Sequence, residues 1–393
     1  MASDREYDVV LFGATGFTGG LTAEYLAEHA PPDTRWALAG RNQAKLEAVR
    51  DRVAAINPAC KELPLLHADT SDTASIEAVA RAARVVITTV GPYVRYGEPL
   101  VAACARTGTD YLDLTGEPTF IDRMYVKYHA EAVRSGARIV HAAGFDSIPH
   151  DLGAYFTVKH LPEGVPLHVE GFVRASADAS GGTWHSAIGI FADVRGMIAA
   201  ERERRRLEGP GPEGRRIRIS RRPAPRTRTR WPLPLPTIDP QIVTRSAAAN
   251  DRYGPDFSYG HYVAVKRLPL AVGMAAGAGA AIALAQLPPT RALLLRMRTP
   301  GEGPSAERRA GHWFSVKFVG EGGGERVVTE VSGGDPGYGE TAKMIAESAL
   351  CLAFDDLPAT SGQVTTATAM GDALIGRLDR AGITFRVLSE ERV

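Results

Sequence analysis

The opening of the chain constrains its fold most. Tyr7 to Phe12 (YDVVLF) is a short apolar run rich in valine and aromatic residues, the composition of a strand buried on both faces. Gly13-Ala14-Thr15-Gly16-Phe17-Thr18-Gly19 follows directly as a GxxGxxG pattern. Helical spacing then runs through Leu21, Tyr25 and Leu26 until Pro31-Pro32 stops it. Strand, glycine turn and helix come in the order a dinucleotide site needs. The glycines permit a tight turn and a close backbone approach to a pyrophosphate, and the helix start offers its free N–H groups to that anion. An NAD site places an acid about 20 residues further on, to hold the ribose 2′-OH. Here the second strand, Arg35 to Ala39, ends instead at Gly40-Arg41-Asn42. A guanidinium pairs with a 2′-phosphate. The pattern predicts NADP(H), held by Gly13, Ala14, Thr15, Gly16, Phe17, Thr18, Gly19 and Arg41. The competing readings are a glycine turn without a ligand and an ordinary exposed arginine.

The alternation continues. Gln43 to Ile56 has a helical pattern, and Pro64 to Ala68 reads as a strand ending at Asp69, a candidate for the adenine side. Ser75 to Ala82 is helical, and Arg84 to Val90 is a buried strand that runs into Gly91-Pro92-Tyr93. Leu100 to Thr107 is a helix, and Tyr111 to Leu114 and Arg138 to Ala142 are short strands. Ligands of a doubly wound sheet sit beyond the carboxyl ends of its strands, so Val90, Gly91, Pro92 and Tyr93 are expected at the ribose and nicotinamide.

Composition narrows the class. Apolar residues make 44% of the 393 and charged residues 23%, which excludes a disordered or collagen-like chain. Net charge is 46 − 45 = +1, so no global field favours nucleic acid. Cys60, Cys104 and Cys351 are scattered, and neither a disulfide framework nor a metal site is expected. The first eight residues are charged without an apolar run, so a cytoplasmic location is expected.

Beyond this point the residues resemble a known family. GATGFTG, AGR, TTVGPYVRYGEPLVAAC, DYLDLTGE and AGFDSIPHDLG, in that order, resemble the saccharopine dehydrogenase-like oxidoreductases. Within that family they most resemble the bacterial trans-acting enoyl reductase branch. GDPGYGETAKMIAESAL and TTATAMGDALIGRL near the end add to the likeness. The resemblance implies an N-terminal Rossmann-type doubly wound parallel sheet, a second α/β domain with its own sheet, and nicotinamide-dependent redox chemistry. It also implies enoyl reduction on polyketide or lipid intermediates supplied by a separate synthase.

The length fits two or three domains at about 150 residues each. They are expected at 1–150 (the NADP(H) domain), 151–350 (an α/β domain on a mostly antiparallel sheet) and 351–393 (helices and a strand packing back on the first). Strands are expected near 168–175, 259–265, 313–319 and 326–332, with a helix from His150 to Lys159. The stretch from Arg195 to Arg230 carries 13 arginines and 4 glutamates, a net +9. It reads as a solvated arm or as an anion-binding patch for an acyl carrier protein, a phosphopantetheine or an anionic lipid surface. Leu268 to Thr290 has no charged residue over 23 positions. Its Ala/Gly composition suits a docked soluble helix, and its length suits a peripheral contact with the inner face of the plasma membrane or a span.

Hydride transfer needs an acceptor to be polarised and a proton supplied. The candidates are Tyr93, Asp146, Ser147, His150 and His185, with Tyr93 first because a phenol can donate a proton. Tyr155 and Lys159 resemble the catalytic pair of short-chain dehydrogenases, at only two fixed positions. Three functions stay open. The first is an NADPH-dependent enoyl thioester reductase, and the second a saccharopine-type enzyme on a C=N or C=O bond. The third is a non-catalytic NADPH-binding, lipid-associated protein.

Overall fold

The computed structural model describes residues 5–176, 188–189, 191–209, 211, 214–220, 231–235, 237–265, 268–296 and 303–392. The N-terminal third supplies β1 (Tyr7–Phe12), β2 (Trp36–Gly40), β3 (Leu65–His67), β4 (Ala83–Thr88), β5 (Asp110–Asp113) and β6 (Arg138–Val140). The middle supplies β7 (Leu167–Ser176), β8 (Arg216–Ile219), β9 (Trp231–Pro234), β10 (Asp256–Val265), β11 (Trp313–Gly322) and β12 (Glu325–Gly333). Last come β13 (Gly362–Val364) and β14 (Thr384–Arg392). The chain divides into one unit of residues 1–145, 301–303 and 337–381, and a second of 146–300, 304–336 and 382–393.

The first unit is built on a parallel sheet in the order β13-β6-β5-β4-β1-β2-β3. β1 lies inside it, with Leu11 beside Leu38 on one side and Ile87 on the other. Val9, Val10 and Leu11 are fully buried, so both faces of the strand are covered and its sequence is a continuous apolar run instead of an alternation. Polar caps start the helices that cover it. Asn42 Oδ1 accepts from Lys45 N to begin the helix Gln43–Ile56, and Asp72 Oδ1 accepts from Ala74 N to begin Thr73–Ala82. Gly108 and Gly136 end the helices Glu98–Thr107 and Pro118–Ser135 in the left-handed conformation. The helix Gly339–Phe354, almost wholly buried, packs against Phe17–His29, where Tyr25 donates to Glu347 at 2.8 Å. Arg377 then joins Glu347 and Asp355 at 3.2 and 2.6 Å, tying the helix Gly371–Arg380 to the same unit.

The second unit is a mixed sheet in the order β14-β12-β11-β7-β10-β8, with β9 also on β10. The pairs β7–β10 and β10–β8 are parallel, and the other four pairs are antiparallel. The four strands expected for this sheet are all in it. The helix Ile148–Lys159 lies on the sheet, close enough that a Cβ on Gly153 would stand 2.3 Å from Phe318 Cε2 and 2.9 Å from Val331 Cγ2.

One expectation needs correction. The segment 351–393 does not pack as a whole on the first unit. Its helices do, but β14 pairs antiparallel with β12, from Thr384 beside Ser332 to Arg392 beside Glu325. β12 would otherwise present a row of unpaired backbone groups at a sheet edge, and the last strand satisfies them. Residues 337–350 likewise belong to the first unit, because their helix covers the parallel sheet. Gly153→Ala should overpack the second unit and cost about 1–3 kcal/mol. Urea unfolding would read this as a lower midpoint at unchanged slope, and an unchanged midpoint would contradict the close contact with Phe318.

Candidate cofactor site and a buried polar cluster

β1 and β4 are neighbours, and the chain leaves them towards opposite edges of the sheet. That is the topological switch point, where ligands of open parallel sheets bind. Gly13, just past β1, has φ of +95°, a conformation that side chains rarely adopt. Its carbonyl accepts from Gly16 N at 3.0 Å and from Thr89 Oγ1 at 3.1 Å. Gly19 rests on the same carbonyl: a Cβ there would stand 2.2 Å from the oxygen and 2.7 Å from Thr89 Oγ1. The helix Phe17–His29 therefore begins directly over the end of β1. Gly16 supplies it with no side-chain cap, and no acid stands in its first turn. Those N–H groups carry the positive end of the helix dipole, and Thr15 and Gly16 beside them are exposed. The arrangement fits a diphosphate. Ala14 is fully buried behind the turn, and Phe17 packs edge-on to Tyr338, 4.7 Å between centroids.

Arg41 is exposed immediately after β2. Asp69 lies just past β3, on the strand beside it, and accepts from the Ser71 amide at 2.9 Å and its hydroxyl at 2.7 Å. These hydrogen bonds, and after them the charges of Arg41 and His67, hold the Asp69 carboxyl below the usual range. A guanidinium and a carboxylate thus stand together at the end of β2 and β3, where they could meet a phosphorylated ribose.

After β4, Val90 is half-buried and Gly91 exposed, and the Gly91–Pro92 peptide is cis. Tyr93 is buried. Its hydroxyl donates to Thr88 O at 3.1 Å and accepts from Leu114 N at 3.2 Å. Its amide and that of Val94 donate to the buried Glu117 carboxylate at 3.2 and 2.8 Å. Tyr93 thereby joins the loops after β4 and β5, a structural task that its expected role as proton donor did not include. Glu117 was not among the sequence candidates. Its local signals are its place at the end of the DYLDLTGE segment and directly before the Pro118 helix start.

Asp146, Ser147 and His150 begin the second unit. Ser147 is fully buried at the start of the helix Ile148–Lys159, without a cap bond from its side chain. His150 Nδ1 lies 2.9 Å from Asp239 Oδ1, and His261 Nε2 lies 3.4 Å from Asp239 Oδ2. The two imidazoles stand edge to face, 4.9 Å between centroids, and Tyr259 Oη is 3.1 Å from His261 Nδ1. Burial drives the His261 pKa down to about 4, against the attraction of Asp239. Burial also opposes the Asp239 charge, but the two histidines outweigh it and hold its carboxyl low. Asp146 is exposed as a residue, yet burial of its carboxyl, then repulsion from Asp239, push it up to about 6, with His150 pulling the other way. Sequence reading found His150 but neither Asp239 nor His261.

The remaining candidates scatter. His185 lies outside the described residues, as do parts of the basic stretch, 221–230 among them. Within that stretch the helix Val194–Glu208 exposes Arg202, Arg205 and Arg206. Lys159 Nζ stands over the ring face of Tyr155, 5.6 Å from its centroid. The uncharged stretch forms the helix Leu268–Ala285, which exposes Val272, Ile282 and Leu284, and among the described residues no helix is long and apolar enough to cross a membrane.

Residues 9–140 match the saccharopine dehydrogenase NADP-binding domain, which agrees with the uncapped glycine turn and with an arginine in place of the ribose-binding acid. The protein is an NADP(H)-dependent oxidoreductase of α/β architecture. It belongs to the trans-acting enoyl reductase branch of the saccharopine dehydrogenase-like family. A Mycobacterium tuberculosis protein provisionally named a trans-acting enoyl reductase is 40% identical over 98% of both chains. The trans-acting enoyl reductase of Mycobacterium ulcerans is 36% identical over 97% of this chain and 98% of its own. Among solved structures, the apo saccharopine dehydrogenase (L-Glu forming) of Saccharomyces cerevisiae is similar in fold, with a TM-score of 0.55 at 14% identity over 98% of this chain and 100% of that one.

Tyr93→Phe removes one hydroxyl from between two backbone groups and should cost about 1–2 kcal/mol of stability. If the hydroxyl is structural, turnover per folded molecule stays near wild type. A rate lost without loss of stability would instead make Tyr93 the proton donor.

Proposed function

We propose that the protein is an NADPH-dependent enoyl reductase acting in trans on a thioester-bound acyl chain delivered by a separate synthase. The observation that carries this is identity of 36–40% along the full chain to proteins named for that reaction. The cofactor supplies the hydride when bound. Gly13 to Gly19 bind its pyrophosphate through the first-turn amides, a reading supported by the uncapped helix start and by the seat of Gly19 on the Gly13 carbonyl, which sets that start over the end of β1. Arg41 pairs with the 2′-phosphate, Asp69 sits at the adenosine side, and Val90 to Tyr93 line the ribose and nicotinamide. Asp146 is the proton donor of this scheme, because it is the exposed acid among the sequence candidates. The exposed arginines of Val194–Glu208 suit an anionic carrier, and the exposed apolar side chains of Leu268–Ala285 suit an acyl chain or a peripheral lipid contact.

The test follows NADPH fluorescence on adding protein, then loss of NADPH absorbance on adding enoyl thioesters of short and long chain, as CoA and as carrier-protein conjugates. Oxidation that depends on the enoyl group supports the proposal. Binding with turnover only on C=N or C=O substrates would move the assignment to saccharopine-type chemistry, and binding without turnover on any of them to a non-catalytic role. Arg41→Ala should weaken NADPH binding about 10–100-fold, roughly 1.4–2.7 kcal/mol, and leave NADH binding unchanged. Asp146→Asn should lower kcat about 100-fold or more with NADPH affinity intact.

A further inference from the structure

Three side chains of the second unit converge without a role in the scheme above. His150 comes from the first turn of Ile148–Lys159, Asp239 from the first residue of the helix Asp239–Ala249, and His261 from the middle of β10. Their side chains are only 3%, 3% and 1% exposed. One ligand-type atom from each lies within 4.8 Å of the other two. Placing two imidazoles and a carboxylate in one buried spot is expensive unless something satisfies them.

The way each ring and carboxylate is held matters more than their proximity. One carboxylate oxygen of Asp239, Oδ2, receives the Thr237 hydroxyl. The other, Oδ1, stands 2.9 Å from His150 Nδ1 in a close but poorly aligned contact. On His261, Nδ1 is engaged by the Tyr259 hydroxyl at 3.1 Å, while Nε2 makes no hydrogen bond although Asp239 Oδ2 is 3.4 Å away. Close but misaligned contacts are poor hydrogen bonds. They are what results when donor atoms face a common point instead of each other. Outer partners on the far atom of a carboxylate and of an imidazole also fix ligand orientation and tautomer around metal ions.

We propose that His150, Asp239 and His261 form a binding site for a first-row divalent transition-metal ion, of the zinc class. Two nitrogens and one oxygen select such an ion over calcium or magnesium, which take oxygen ligands. Zinc holds these atoms at about 2.0–2.2 Å, so in a tetrahedral site they stand about 3.3–3.6 Å apart. The two nitrogen–oxygen contacts, at 2.9 and 3.4 Å, are already close to that spacing. Side-chain rotations that close the widest separation by about an ångström bring the three into range and leave a fourth position for water or another ligand.

The test uses the full chain with any affinity tag removed, stripped with a chelator and returned to metal-free buffer. Zinc is titrated against a chromogenic competitor, and cobalt(II) is added separately for its visible d–d absorption. The expected result is one equivalent bound, with a cobalt spectrum of four- or five-coordinate intensity. Asp239→Asn and His261→Gln should each weaken binding more than about 100-fold, and Tyr259→Phe, which keeps all three ligands, about 10-fold. Circular dichroism and NADPH binding check that each variant is folded. Should a ligand variant not fold, Tyr259→Phe and the cobalt spectrum of the wild type still decide. The proposal is overturned if the stripped wild type takes up less than a tenth of an equivalent at about 100 µM zinc, or if folded ligand variants bind as the wild type does.

Discussion

The seat of Gly19 on the carbonyl of Gly13 is the contact on which the cofactor unit depends. A single methyl group at Gly19 would stand 2.2 Å from that oxygen, so the helix Phe17–His29 can start over the end of β1 only without one. The helix direction follows, and with it the aim of its uncapped N–H groups and the packing of Gly339–Phe354 along its flank. Thr89 closes the arrangement from β4 by donating to the same carbonyl. Two adjacent parallel strands are thereby locked at their carboxyl ends, where a doubly wound sheet binds its ligand.

Charge is distributed differently in the two units. In the first, the positive groups offered to a cofactor are exposed: the helix start, and Arg41 beside Asp69. Exposed groups recognise a phosphorylated ligand without a large desolvation cost. In the second, the charged groups around Asp239 are buried and depend on one another, so losing one member leaves the others uncompensated. That difference makes the first unit tolerant of change at Arg41 and the second intolerant at Asp239.

The central strands of the first unit are legible because β1, β2 and β4 are apolar runs that lead into glycine, a pattern that burial on both faces imposes. The helix Pro118–Ser135 is equally punctuated, by Pro118 and Gly136, but its apolar positions are interrupted by charged residues. β13 offers only three residues, too few for a periodicity. Tyr93 shows the limit of reasoning from residue type. A phenol after β4 has the right chemistry for a proton donor, but only the fold reveals that Thr88 and Leu114 occupy its hydroxyl. β14 is legible as a strand, but its pairing with β12 is set at long range and is not written in local sequence.

By itself the sequence determined the parallel first sheet, the glycine turn and the preference for a 2′-phosphorylated cofactor. All of these rest on neighbours within about thirty residues, where spacing encodes geometry directly. Tertiary structure alone decided the meeting of His150, Asp239 and His261, the clamp of Glu117 on the start of Tyr93–Tyr96, and the destination of the last strand. Asp239 opens an ordinary helix and His261 sits in an ordinary strand, so neither carries a local mark of its role. They come together because β10 runs parallel to β7 while the helices bearing His150 and Asp239 pack on one another, a consequence of burying apolar faces across long stretches of chain.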